Sequence, residues 1–81
     1  MSHDYLCLIG IYVNGIFDSM QHRLYYDLKS AKKELAIFGY RNTNVSNLFI
    51  KDMGVIVRRC HIVELPIGYT ENDILSYVNM Q

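Results

Sequence analysis

Between Tyr5 and Leu24 two apolar runs, Y-L-C-L-I-G-I-Y-V and I-F-D-S-M-Q-H-R-L, flank Asn14-Gly15. Asn-Gly between such runs predicts a β-hairpin, because both central residues of a type I′ turn need φ > 0. The first arm, Tyr5–Val13, is apolar on both sides: Tyr5, Cys7, Ile9, Ile11 and Val13 on one, Leu6, Leu8 and Tyr12 on the other. A strand of that kind belongs inside a sheet that is covered on each face. The second arm mixes Asp18, Ser19, Gln21, His22 and Arg23 with Ile16, Phe17, Met20 and Leu24, as suits an outer strand. A regular two-residue turn predicts Val13 opposite Ile16, Ile11 opposite Asp18, Ile9 opposite Met20 and Cys7 opposite His22. The main core is then expected on the side of Ile9, Ile11, Met20 and Leu24. Leu6, Leu8, Tyr12 and Phe17 are left for another cover or an interface.

After Tyr25-Tyr26 the period changes to that of a helix. Asp27 is a good N-cap, Leu28, Ala31, Leu35 and Phe38 form an apolar stripe, and Gly39 marks the stop. Ile37 falls nearly opposite that stripe. Tyr40–Asn47 reads as a surface loop. A second hairpin is predicted from Leu48–Lys51 against Val55–Val57, around a three-residue turn Asp52-Met53-Gly54 with a bulge. Its second arm continues to Leu65, where Pro66 stops it, and a further bulge near Arg58-Arg59 would restore the inside-outside alternation. Thr70, with Asp73 three residues on, caps a last helix that buries Ile74, Leu75 and Val78 and runs to the end of the chain.

The expected order is ββαββα. It predicts a single α+β domain over 1–81, a four-stranded antiparallel sheet with two amphipathic helices packed on it. Aligning Gly15 with Gly54 also aligns His22 with His61, a repeat of architecture rather than of sequence.

Composition narrows the function classes. Hydrophobic residues make up 51% of the chain and charged residues 20%, so few charges are available to cover the outside. Some apolar surface is expected to remain exposed and to meet a partner, including a second copy as a homodimer. Eight basic residues balance eight acidic ones, which argues against a binder that depends on a general basic excess. Cys7 and Cys60 in strand-like runs read as reduced core thiols. The opening M-S-H-D has no positively charged leader character, and Leu6–Val13 is too short for a membrane span, so a cytoplasmic protein with no membrane association is expected.

Candidate chemistry is sparse. Gly10-Ile11-Tyr12 resembles the first tripeptide of the GIY-YIG nucleases. The partner strand lacks the second tripeptide, and the helix over Leu28–Phe38 lacks the family's arginine, so no membership follows. His3, Cys7, His22, Cys60 and His61 do not have zinc-ligand spacing. Cys7 opposite His22 would resemble a nucleophile and its base, with no orienting carboxylate in view. No catalytic, cofactor or metal residue is assigned.

The leading expectation is a small protein-binding module, an inhibitor or regulator of a larger protein, not an enzyme. Seven tyrosines in 81 residues support it, since Tyr and Arg concentrate at interface hot spots. The Asn-, Ile-, Tyr- and Lys-rich composition suits a phage or mobile-element anti-defence (anti-CRISPR-like) protein. The expected partner-binding residues are Tyr40, Arg41, Arg58, Arg59, Lys29, Lys33 and Ile37. The second expectation is a nucleic-acid-binding regulator using Lys29, Lys32, Lys33, Arg58 and Arg59. A small enzyme or metal protein is the third.

Overall fold

The computed structural model describes residues 3–79. The elements are β1 (Tyr5–Val13), β2 (Ile16–Tyr25), α1 (Leu28–Ile37), β3 (Arg41–Asn42), β4 (Leu48–Met53), β5 (Ile56–Glu64) and α2 (Glu71–Asn79). Two expectations reach beyond that span: the leader reading of M-S-H-D includes Met1 and Ser2, and the run of the last helix to the chain end includes Met80 and Gln81. Both pairs lie outside the described residues.

The fold is α+β, with five antiparallel strands in the order β2-β1-β5-β4-β3 rather than four. The added strand comes from the stretch expected to be a loop. Arg41 and Asn42 pair with Ile50 and Phe49, and the turn behind them is held by Thr43, whose hydroxyl donates to the Leu48 carbonyl at 2.9 Å. β1 is interior as its two apolar sides predict, and β2 is an edge.

The helices cover opposite faces. On one face α1 packs Ala31 and Leu35 onto Cys7, Ile9, Cys60 and Ile62. On the other, Ile74, Tyr77 and Val78 of α2 pack against Leu6, Leu8 and Leu65. Leu75, expected in that stripe, is exposed, and Tyr77 takes its place. The second apolar side of β1 is therefore covered by the chain itself over Leu6 and Leu8.

Both helices start as their caps predict. The Asp27 carboxylate accepts from the Ser30 amide at 2.6 Å. At α2, Asp73 accepts from the Thr70 amide at 2.8 Å while the Thr70 hydroxyl accepts from the Asp73 amide at 3.4 Å, a reciprocal capping box.

The turns correct two expected registers. Asn14 and Gly15 have φ of 52° and 78°, as a type I′ turn requires, but β2 then carries a bulge. Tyr12 pairs with Phe17 and Ile11 with Ser19, so Asp18 is the extra residue. Every later residue of β2 changes face relative to the regular register. Met20 joins the α2 side with Leu6 and Leu8, and Cys7 meets Arg23 while His22 meets Leu8. The bulge keeps the Asp18 carboxylate from facing Ile11 and delivers Arg23 to α1, where it donates to Glu34 at 2.5 Å.

In the second hairpin Met53 pairs with Ile56, leaving the two-residue turn Gly54-Val55 in place of a three-residue turn. Gly54 has φ of 84°, the left-handed first position of a type II′ turn. β5 runs without the bulge expected near Arg58-Arg59, and its pairing to β1 and β4 is continuous. The arginines take opposite faces, Arg58 half-buried on the α1 side and Arg59 exposed on the other.

Candidate functional site

The register aligns residues into rows across the sheet, and on the α1 face the rows change character in sequence. Under α1 lies the core row of Ile9, Cys60 and Phe49, with Gln21 at its outer end. The next row toward the hairpin turns is Ser19, Ile11, Arg58 and Lys51. The last is Ile16, Val13, Ile56 and Met53, apolar across four strands. α1 stops short of it. Ile16 is 72% exposed, Met53 45% and Ile56 39%. The two turns are tied together beyond this row by the Asn14 amide, which donates to the Val55 carbonyl at 2.9 Å.

Where the covered and open parts meet there is a cavity of about 140 Å³. Ile9, Leu35 and Phe38 give it apolar walls, and Arg23, Lys51 and Arg58 bring three cations to it. Arg23 is already engaged: besides Glu34, its guanidinium lies 5.8 Å from the centre of the Phe38 ring. Lys51 and Arg58 are direct cross-strand partners, a like-charge pairing that costs stability, and neither has an ion-pair partner among the described residues. The Arg58 Nε is buried and has no hydrogen-bond partner among the described residues.

The residues expected to bind a partner do not form one surface. Arg58 is at this cavity. Arg59 is on the opposite face, its guanidinium 5.9 Å from the centre of the Tyr12 ring, and Tyr12 in turn meets Phe17 edge to face at 5.6 Å. Gly10 makes room for this arrangement, since a Cβ there would lie 3.2 Å from the Tyr12 ring. Arg41, paired with Ile50, shares that second face at the far edge. Lys29, Lys33 and Ile37 are exposed on α1. Tyr40 is only 9% exposed and packs in the core under α1, because the left-handed Gly39 turns the chain inward directly after the helix. Lys51, Arg23 and the open apolar row were not among the expected site residues. A two-residue reading of the Gly54-Val55 turn pairs Met53 with Ile56, and therefore Lys51 with Arg58, from the sequence alone.

The cysteines and histidines are sorted by face. Cys7 and Cys60 are buried free thiols on the α1 side. Each perturbs the other: the Cys60 thiol as hydrogen-bond partner lowers the Cys7 pKa, and the same bond together with burial raises that of Cys60. His22 and His61 lie on the α2 side, flanking Leu8. The Cys7–His22 pair is thus replaced by a Cys7–Cys60 pair. Among the described residues, no three His, Cys, Asp or Glu side chains converge as a metal set. No helix among them is long and apolar enough to cross a membrane.

Comparison with known proteins gives no match to any family model, any curated protein or any solved structure.

Proposed function

We propose that this protein is a protein-binding module that engages its partner through the open half of the α1-side sheet face. The observation that carries the reading is the row Ile16, Val13, Ile56 and Met53, apolar across four strands and left outside the cover of α1. Apolar side chains aligned on a rigid sheet lose little conformational freedom on docking, which favours affinity. The narrower form of the proposal is an inhibitor or regulator of a larger cytoplasmic protein, the anti-defence type that the composition suits. Nothing in this reading requires catalysis or a cofactor.

The nucleic-acid alternative has less support. Its lysines stand on α1, Arg58 lies at the cavity on the α1 face, and Arg59 and Arg41 are on the other face. A backbone-tracking groove needs these charges in one stripe.

The test is capture by the immobilised 81-residue chain from its native host, comparing wild type with Ile16→Glu/Met53→Glu. Wild type should retain a partner that the double variant loses, while Lys29→Ala/Lys33→Ala retains it. Equal retention by the double variant would overturn the proposal. Loss of retention at high salt, with nucleic acid in the eluate, would transfer it to the alternative. Sedimentation of the pure protein shows whether the partner is a second copy.

A further inference from the structure

The geometry points to a carboxylate socket in the cavity beside the open row: Lys51 and Arg58 bind an acidic side chain presented by the partner. This rests on the protein-binding reading above and names the partner's chemistry at one position. Three observations converge on it. Lys51 and Arg58 are placed directly opposite each other, where like charges repel. The Arg58 Nε is buried without a hydrogen-bond partner among the described residues, which is costly unless something else accepts from it. Glu34 neutralises Arg23, so the excess charge in the cavity belongs to Lys51 and Arg58.

One oxyanion neutralises the Lys51–Arg58 pair. It accepts from the guanidinium and the ammonium together, turning a repulsive pair into two charge-assisted hydrogen bonds. The cavity of about 140 Å³ is well below the size of small-molecule pockets, roughly 300–1,000 Å³. It suits the tip of a side chain, with Ile9, Leu35 and Phe38 against the methylene stem. The adjoining row then receives apolar residues on either side of the acidic one. The partner segment expected is therefore apolar with a Glu or Asp at one contact position.

The experiment uses the isolated, isotope-labelled 81-residue chain, so it does not depend on finding the partner. Propionate, as the side-chain mimic, and inorganic phosphate are titrated separately at constant ionic strength while the arginine Nε–H resonances are followed. Propionate should shift the Arg58 signal saturably. Lys51→Met should weaken that binding about tenfold, as expected for loss of one charge-assisted hydrogen bond. Lys29→Met should leave it unchanged. Lys51→Met also removes the like-charge pair, so its melting temperature should equal or exceed that of wild type, which excludes misfolding as the cause. A shift that never saturates, or one unaffected by Lys51→Met, would overturn the socket. Saturation by phosphate alone would overturn the carboxylate assignment. Failure of the socket with loss of the partner in Ile16→Glu/Met53→Glu would leave the apolar interface standing without it.

Discussion

His61 shows how one residue can link packing to pH. It sits on the α2 face between Leu8 and Leu48, and burial followed by the nearby Arg59 charge holds its pKa below the ordinary value. The unfolded chain takes up that proton near pH 6.5, whereas the folded chain resists until lower pH. Between the two values the unfolded state binds more protons, so stability is complete above about pH 6.5 and falls as the pH drops through that window. Denaturant melts at a series of pH values should show this decline in wild type and a shallower one in His61→Gln. An identical pH slope in the two proteins would show that His61 is protonated equally in both states. The position of His61 was legible as a strand residue. Its partly buried setting was not, because that comes from β4 and β1 on either side.

At the scale of elements, each helix closes one face, and each depends on its cap. α2 has only half-buried side chains in its contact stripe, so the capping box is a larger share of what holds it. Tyr69 adds a second tie, donating from its hydroxyl to Asp4 at 2.6 Å beside the start of β1. Thr70→Ala should cost about 1 kcal/mol. It should also increase hydrogen exchange at Leu6 and Leu8 before global unfolding, because releasing α2 uncovers their face. Unchanged protection at those amides would mean that α2 is held by its packing alone. The helix caps, the type I′ turn and the interior position of β1 could all be read from the chain, since each depends on neighbours within a few residues. The β2 bulge could not. Asp18 gains nothing locally by being the extra residue; the benefit lies in placing Met20 on Leu8's face and Arg23 against Glu34, contacts that exist only after folding.

The molecule extends 40 × 25 × 19 Å, and its long strands β1 and β2 outrun the helices that cover the sheet, since a strand rises about 3.3 Å per residue and a helix about 1.5 Å. The uncovered end contributes apolar surface but little core. Replacing Ile16 and Met53 with Thr, which keeps strand propensity, should change stability by less than about 1 kcal/mol. The same replacements should reduce partner binding. A large fall in melting temperature would instead make this row part of the core. Leu8→Ala offers a contrast, since a fully buried leucine typically costs about 2–5 kcal/mol.

The sequence by itself determined the α+β class, both hairpins, both helices with their caps, and the interior place of β1. These follow from period, turn chemistry and side-chain type, which act over a few residues. Tertiary structure decided which face each residue serves. A bulge in β2 and a two-residue turn at Gly54-Val55 set the parity of their strands, and one residue of slip exchanges inside for outside. That parity separated Arg58 from Arg59, set Lys51 opposite Arg58, and aligned Ile16, Val13, Ile56 and Met53 into one row. Tyr40 moved inward for a related reason: a left-handed glycine turned the chain under α1, where a loop had been expected to carry it outside.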